Sequence, residues 1–392
     1  MNILAFDLPF CNHHNLVSLV KSGHTVYRCS YGDHSYIESL GVKSPPELAY
    51  IDFLDSPDKP RLVRDVIEQY DIDLIINTDP QEAWMWIEFA SEMPYIGPCN
   101  YVSNLEVHRL VGKEFAQKAG VKVPGILGRY HSRDFDSSAW SKPLVIKPVE
   151  RYCSTMVCQP GQEADLKKAL DSEYPHEIYV EEYLADTREI TTNYTVIDGE
   201  YIIYVSNYDA NCQYNYGPDR RQTRDWHTDV YSVGLDTESD LINRENVEKI
   251  VHKLSEYPGN HEGHLTGYMT QDGEWYFGEL GVRRYTHSPI PTLFTGDQWL
   301  ECMLGDMSTY RDAWCDKTII QTIIQTSHPE DRYPIELHDT YPEIYPPSGL
   351  KDDFSIATGA VMISTQTQHR SVMDAFIYDL ETSTRFTANR PY

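Results

Sequence analysis

The stretch YFGELGVRR at residues 276–284 places a single carboxylate, Glu279, between an aromatic run and two cations, Arg283 and Arg284. The aromatic run has the composition of a buried strand. A charge beside buried apolar surface is costly unless it is paired or holds a metal ion. Glu279 is therefore a candidate metal ligand or a candidate salt-bridge partner of Arg283.

Charged residues of the kind that bind anions lie upstream of this stretch. The segment KPLVIKP predicts a strand that carries Lys147 on one face. Arg109 and Lys113 are four residues apart on a predicted helix, so they share a face and form either a solvated basic pair or an anion site. The segment EIYVEEYL predicts a strand that breaks at a polar hinge, Glu181 and Glu182.

The composition narrows the possible functions. The chain has 392 residues, 41% of them apolar, which suits two or three domains. Its net charge of −27 disfavours bulk binding to nucleic acid or to an anionic membrane. The sequence has no apolar run long enough to span a membrane, and its first residues have the pattern of a strand, not of a signal peptide. The eight cysteines include no CxxC pair, so we interpret them as reduced thiols of a cytoplasmic protein.

The order of strand and helix signals changes along the chain. Residues 1–103 alternate the two, which predicts a parallel sheet covered on both faces. Ser103 and Glu106 then fit a capping box for a helix that ends at Gly120. The buried stripe expected for this helix is Val107, Leu110, Val111 and Phe115.

Antiparallel signals follow this helix. Two Asp-Gly turns, at 198–199 and 272–273, predict β-hairpins. Further strands are expected at 318–326, 354–364 and 373–380. We therefore predict an α/β (α+β) protein with three parts: an N-terminal parallel α/β domain, 1–103; a central domain, 104–325, with a lid at about 120–185; and a small C-terminal β-rich module, 326–392.

In this order the motifs resemble the ATP-grasp ligases, and most closely the phosphoribosylamine–glycine ligase (glycinamide ribonucleotide synthetase) branch. The segments that carry the resemblance are PYIGPCNYVSNLEVHRLVGKEFAQKAGVKVP, KPLVIKP, VEEYLADTREI and GHLTGYMTQDGEWYFGELGVRR. The resemblance covers roughly residues 1–330 in the family's order. It implies an ATP-grasp fold in which residues 1–103 form the pre-ATP-grasp-like domain.

The resemblance also implies a reaction. The γ-phosphoryl group of ATP passes to a carboxylate, and an amine then displaces phosphate from the acyl phosphate. ATP and Mg²⁺ are the implied cofactors, because the triphosphate must be neutralised and held. The implied partners are a small carboxylate, such as an amino acid, and an amine, with phosphorylated and nucleotide-like amines among the options. The oligomeric state stays open.

The resemblance assigns roles to individual residues. Lys147 and Arg283 are the catalytic cations, Lys147 on the phosphates and Arg283 on the reacting carboxylate. Glu279 is the Mg²⁺ ligand, a hard oxygen donor for a hard cation. The cofactor-binding set is Arg109, Lys113 and Lys147 for the phosphates, Glu181, Glu182 and Leu184 for adenine, and Glu189, with Arg188 as its alternative, for ribose.

Three segments depart from the family pattern. Gly281 stands where the family has a metal-binding Asn, and the loop 149–158, normally rich in glycine, has none. The substrate loop 217–232 carries Arg220, Arg221 and Arg224 among several aspartates. These arginines either balance the local acidic charge or recognise an anionic substrate.

The sequence thus favours an ATP-dependent carboxylate–amine ligase with altered substrate loops. It leaves two alternatives: a non-catalytic ATP-binding protein on the same fold, and an ATP-dependent kinase of a small acid or sugar.

Overall fold

The computed structural model describes 1–6, 13–29, 38, 41–45, 58–136, 140–150, 156–161, 177–185, 187–208, 230–232, 238–283, 296–308, 319–325, 334, 336–344, 360–366, 370–385 and 387–388. The predictions for Arg220, Arg221 and Arg224, and for residues 151–155 of the loop 149–158, fall outside these ranges. No helix in the described ranges is both long and apolar enough to cross a membrane.

The N-terminal part is a parallel sheet in the order β2-β1-β3-β4, as predicted. Its strands are β1 (Asn2–Phe6), β2 (Thr25–Cys29), β3 (Leu74–Asn77) and β4 (Tyr95–Ile96). The helices between them are α1 (His13–Lys21), α2 (Lys59–Gln69) and α3 (Trp84–Phe89). The strands are apolar and buried because helices and the rest of the chain cover both faces.

The helix predicted from Ser103 begins earlier and is broken. Helix α4 (Asn100–Val107) has its N-cap at Cys99, and the backbone N–H of Ser103 donates to Cys99 O inside the helix. The capping-box prediction was therefore wrong. At His108 the backbone leaves the helical region (φ −104°, ψ 88°), and α5 (Arg109–Lys118) begins. The N–H of Arg109 donates instead to Val149 O at 3.2 Å, so a tertiary contact interrupts the helix.

This break changes which residues of the helix are buried. Of the predicted stripe only Phe115 is fully buried, while Val111 is 38% exposed. The buried positions include two charged residues, Glu106 and Lys113. The apolar periodicity failed here because ionic partners from other elements, described below, outweigh it.

A second, antiparallel sheet follows in the order β5-β8-β6-β7. Its strands are β5 (Ile126–His131), β6 (Leu144–Pro148), β7 (Met156–Cys158) and β8 (Glu177–Glu182). We call it the lid sheet, because it falls within the segment predicted as the lid. Leu144, Ile146, Ile178 and Val180 pack together on one of its faces. The opposite face is left for Lys147, Tyr179 and Glu181.

The largest sheet has the order β13-β12-β9-β10-β11-β14-β15, with β16 beside β14. Its strands are β9 (Arg188–Ile197), β10 (Glu200–Tyr208), β11 (Val230–Ser232), β12 (His261–Met269), β13 (Trp275–Gly281), β14 (Ile319–Gln325), β15 (Ala360–Gln366) and β16 (Thr387–Ala388). We call this the central sheet. Helices α6 (Glu238–Leu254) and α7 (Gly296–Met303) flank it.

Both predicted hairpins are present. Asp198 and Gly199 both have positive φ, 51° and 81°, as the two-residue turn between β9 and β10 requires. The hairpin between β12 and β13 turns at Asp272–Gly273, where Gly273 has φ 84°. These turns fix the register of the strands that carry the candidate site.

The C-terminal part combines strands with helix. The prediction at 318–326 corresponds to β14, and the described part of the prediction at 354–364 lies in β15. Strand β14 continues the central sheet by pairing with β11. The prediction of a strand at 373–380 was wrong, since this segment lies in α9 (Arg370–Ser383). Its buried residues Met373, Phe376, Ile377 and Leu380 have the spacing i, i+3, i+4, i+7 of a helix. Helix α8 (Leu337–Thr340) is short.

Candidate active site

Three charged residues from separate elements meet in a buried ion triad: Lys113, Lys147 and Glu181. Lys113 Nζ lies 2.8 Å from Glu181 Oε2, and Lys147 Nζ lies 2.6 Å from Glu181 Oε1. All three side chains are at most 4% exposed. Buried charges of this kind are stable only when paired, so the carboxylate is what allows two cations to sit here.

Strand pairing places the triad between the two antiparallel sheets. In the lid sheet Val145 pairs with Glu181 and Lys147 with Tyr179, so both charged side chains lie on the face opposite the lid core. Lys147 Nζ is 5.7 Å from the ring centre of Tyr268 on β12. Lys113 Nζ is 5.9 Å from the ring centre of Phe277 on β13. The triad therefore marks the cleft between the lid sheet and the central sheet.

Burial and charge shift the protonation equilibria of the triad. Burial lowers the pKa of Lys113 to about 8, although Glu181 opposes this shift. For Glu181 burial alone would raise the pKa, but the charges of Lys113 and Lys147 outweigh it and hold the pKa below the usual value. The pKa of Lys113 thus lies where this lysine becomes partly neutral at mildly alkaline pH, while Glu181 stays ionised.

Arg109 adds a third cation at the edge of this cleft. Its Nη2 lies 3.9 Å from Glu279 Oε2, and its side chain is 14% exposed. Its Nη1 is buried and has no hydrogen-bond partner in the described part of the chain. A buried guanidinium N–H with unused donor capacity fits a phosphate oxygen, because Arg binds phosphates through such N–H pairs.

Glu279 lies on β13 opposite Thr266 of β12, and its side chain is 48% exposed. The described residues contain no group of three or more His, Cys, Asp or Glu side chains that could hold a metal ion. Within the described ranges, Glu279 therefore has no cluster of further protein ligands with which to hold a metal ion. It fits Mg²⁺ shared with phosphate oxygens and water, the usual arrangement where a nucleotide brings the metal.

The space beside Gly281 is filled by His264. A Cβ at Gly281 would lie 2.1 Å from His264 Cε1, so a larger residue here requires the imidazole to move. His264 is fixed by its Nδ1, which lies 3.0 Å from Arg283 O. Gly281, where the sequence resemblance implies a metal-binding Asn, thus packs against a histidine on the neighbouring strand.

Glu106 is a site residue that the sequence reasoning missed. Its buried carboxylate accepts from the Arg283 Nε at 3.1 Å and from the backbone N–H of Val282 at 2.6 Å. Glu106 of α4 therefore orients Arg283. The sequence contained a signal for a buried ion pair, since this acid lies among apolar residues. The capping-box interpretation explained the acid as a helix cap, so the signal was not used.

The predicted hinge continues from the triad. Glu182 Oε1 accepts from the Gly125 N–H at 2.7 Å, and the Glu182 N–H donates to Gly125 O at 2.9 Å. Leu184 and Glu189 are part-buried on the way into β9, where Glu189 pairs with Tyr268. Glu181, by contrast, points its carboxylate at two lysines. The structure shows Glu181 holding these cations, and its role in adenine binding stays a prediction.

Comparison with known proteins places this geometry in a known fold. No protein-family model matches the chain, and no curated protein sequence matches it significantly. Among solved structures, L-amino acid ligase from Bacillus licheniformis is similar with a TM-score of 0.69 at 16% identity, covering 99% of this chain and 98% of that one. This chain has the ATP-grasp fold.

Two further structures show the breadth of this similarity. The biotin carboxylase domain of Hydrogenobacter thermophilus 2-oxoglutarate carboxylase, solved with MgADP and bicarbonate, matches with a TM-score of 0.70 at 12% identity over 99% of this chain and 90% of that one. N5-carboxyaminoimidazole ribonucleotide synthetase from Thermotoga maritima matches with a TM-score of 0.61 at 14% identity over 99% of each chain. The ATP-grasp fold therefore extends over nearly the whole chain, including its C-terminal part.

Proposed function

We propose that this protein is an ATP-dependent carboxylate–amine ligase that acts through an acyl phosphate. The observation that carries the proposal is the set of cations in the cleft: the paired Lys113 and Lys147, and Arg109, whose buried Nη1 has no hydrogen-bond partner among the described residues. Arg109 faces the half-exposed Glu279, and the two lysines lie in the same cleft, a combination that suits a polyanion carrying a divalent metal.

Each residue then has a defined task. Lys147 and Lys113 bind phosphate oxygens, with Glu181 keeping both side chains in place before the nucleotide arrives. Arg109 donates its free N–H to phosphate, and Glu279 provides one oxygen ligand to Mg²⁺. Bound ATP and Mg²⁺ supply the phosphoryl group and its charge neutralisation. Arg283, held by Glu106, lies on the strand end after Glu279, where it stabilises negative charge on the reacting carboxylate.

An amino acid is the carboxylate we propose, since an L-amino acid ligase shares the fold over nearly the full length of both chains. The phosphoribosylamine–glycine ligase branch suggested by the sequence motifs is a narrower form of the same proposal. The solved structures reported above come from other ATP-grasp ligases and carboxylases, so they support the general reaction without favouring that branch.

The test is ADP release from purified protein with ATP and Mg²⁺ and pairs of amino acids and amines. ADP should form only when both a carboxylate and an amine are present, and the condensed product should be detectable by mass spectrometry. Protein that binds ATP yet releases no ADP with any pair would contradict the proposal.

A second candidate, a non-catalytic ATP-binding protein, is favoured by one observation. His264 fills the space in which the family's second metal-ligating side chain would sit, which leaves Glu279 as the carboxylate at the metal position. The variant Glu279→Gln separates the two functions. If the protein is a ligase, the variant abolishes the ADP release seen in wild type. If it is a binding protein, neither wild type nor variant releases ADP, and the variant's affinity for ATP in the absence of metal is nearly unchanged.

A further inference from the structure

Polar side chains continue from Glu279 across one face of the central sheet. Thr191 on β9 is in register with Thr266 on β12, and Thr266 is in register with Glu279 on β13. The hydroxyls of Thr191 and Thr266 are 3.2 Å apart, so these side chains share a face. The next rung along pairs Asn193 with His264, and the third pairs Thr195 with Glu262.

We call these six residues the polar ladder: Thr191, Asn193, Thr195, Glu262, His264 and Thr266. All of them are at most 7% exposed. The other face of the same strands is apolar and packs against α6. Its residues in this core are Ile190, Tyr194, Val196, Leu265 and Met269. A sheet that is apolar on one face and polar but buried on the other does not use its polar face for ordinary core packing.

Two side chains of the polar ladder have unused hydrogen-bonding capacity. Asn193 is 0% exposed, and neither its Nδ2 nor its Oδ1 has a hydrogen-bond partner in the described ranges. The hydroxyl of Thr195, also 0% exposed, has none either. Nearly all buried polar groups in folded proteins are hydrogen-bonded, so a fully buried amide with both ends unused indicates a polar binding site.

We propose that the polar ladder binds the amine substrate and that this amine is small and unphosphorylated. The proposal rests on the ligase function proposed above. The ladder begins beside Glu279. Asn193 lies two strands across and two residues along from Glu279, so about 12 Å separates their Cα atoms, a distance that an amino-acid-sized molecule and the two side chains can span. An amine held there is next to the position where the acyl phosphate forms.

The chemistry of the polar ladder decides the substrate class. Segments 191–195 and 262–266 contain no Lys or Arg. Their groups are hydroxyls, an amide, an imidazole and one carboxylate, which suit neutral or cationic polar groups. The ladder itself therefore offers a phosphate monoester no cation to offset its desolvation, and the neighbouring Arg283 is already paired with Glu106.

The experiment uses Asn193→Leu, which replaces the amide by an apolar side chain of similar size. In the active enzyme the KM for the amine should rise about tenfold, as expected for one or two lost hydrogen bonds, while the KM for ATP stays constant. The melting temperature should stay the same or rise, because the variant removes a buried, unpartnered amide. Thr195→Val, a change of nearly equal shape, should also raise the amine KM and covers the case in which Asn193→Leu fails to fold.

Asn243→Leu is the matched control. Asn243 is equally buried but on the apolar side, where it donates to Thr192 and accepts from Trp275, both at 2.8 Å. This variant should lower the melting temperature and leave the amine KM unchanged. If Asn193→Leu behaves like Asn243→Leu, the amide is structural and the proposal is wrong.

Two outcomes separate this proposal from the ligase function itself. In the first outcome, no amine supports ADP release. An unphosphorylated amino acid nevertheless raises the melting temperature of the wild-type protein in the presence of an ATP analogue and Mg²⁺, and it does not raise that of Thr195→Val. The ladder is then a ligand site, and the ligase proposal alone fails. If a phosphorylated amine is the preferred acceptor, and its KM is insensitive to both ladder variants, the ligase proposal stands and the ladder proposal fails.

Discussion

The carboxylate of Glu106 orients Arg283: Oε1 accepts from the arginine Nε at 3.1 Å, and Oε2 accepts from the N–H of Val282 at 2.6 Å. The side chain of Glu106 is 3% exposed and that of Arg283 is 15% exposed. Helix α4 thereby sets the direction of the cation that follows the candidate metal ligand.

Replacing Glu106 by Gln should disturb the direction of Arg283 without removing it. Gln keeps one acceptor but loses the charge that pairs with the guanidinium, so we expect kcat to fall about 10- to 100-fold with the KM for ATP nearly constant. Steady-state kinetics measure this split. Glu106→Ala should in addition cost about 1–3 kcal/mol in urea unfolding, because it leaves buried donors unsatisfied. Equal stability losses in both variants, with kcat unchanged in Glu106→Gln, would show that Glu106 only supports the fold.

The buried ion triad predicts an asymmetry between its members. Lys113→Met leaves one lysine opposite one carboxylate, whereas Glu181→Gln leaves two buried cations without a counter-charge. We therefore expect Glu181→Gln to destabilise the protein by about 3–5 kcal/mol, and Lys113→Met by clearly less. Urea unfolding at pH 7 measures both. A smaller loss in Glu181→Gln than in Lys113→Met would mean that the pairing described here does not hold in solution.

The sequence revealed the local parts of this structure better than the long-range ones. The Asp-Gly turns and the strand around Lys147 were predicted because their signals lie within a few residues. The pairing of Lys147 with Glu181 depends on the register of β6 against β8, and 34 positions of chain separate the two residues. No local pattern contains that register, and for the same reason Lys113 was open to interpretation as a solvated cation.

Two errors have a related cause. Glu106 was interpreted as part of a helix cap, because the capping motif considers only four consecutive residues, and its real partners, Val282 and Arg283, lie far along the chain. The segment 373–380 was predicted as a strand from its apolar content, although the spacing of its buried residues is helical. Only the structure could reveal the partners of Glu106. The helix at 373–380 could have been predicted from the sequence by counting the spacing of its apolar residues.

Lys113 should make ATP binding depend on pH. Its pKa of about 8 in the free protein means that part of the population is neutral above pH 8. A bound triphosphate favours the charged form, so binding at pH 8.5 should take up a fraction of a proton. Calorimetry in two buffers with different ionisation enthalpies measures this uptake. Lys113→Met should abolish it, and uptake that persists in this variant would assign the proton to another group.

The same shift predicts how stability varies with pH. Because the folded pKa of Lys113 lies below the ordinary value of 10.5, the unfolded state binds more protons between about pH 8 and 10.5. The cost of burying the charged lysine lowers the free energy of unfolding in full below pH 8. This cost disappears as the pH rises through this window, so the wild-type protein becomes more stable. Lys113→Met lacks this term, so its stability relative to wild type should decrease from pH 7 to pH 10. A constant difference in urea unfolding would contradict the shifted pKa.

Gly281 and His264 should behave as a coupled pair. Gly281→Asn introduces a Cβ 2.1 Å from His264 Cε1, so we expect a loss of about 1–3 kcal/mol in urea unfolding from overpacking. Combining it with His264→Ala should cost less than the sum of the two single changes, since the second change opens the space that the first requires.

Gly120→Asn is the control, because Gly120 has φ +80°, which Asn tolerates, and nothing within 4 Å of its added Cβ. Additive losses would show that the imidazole does not occupy the space beside Gly281. A combined variant that also gains Mg²⁺-dependent ADP release would show that this pair, by occupying the second ligand position, limits the metal site.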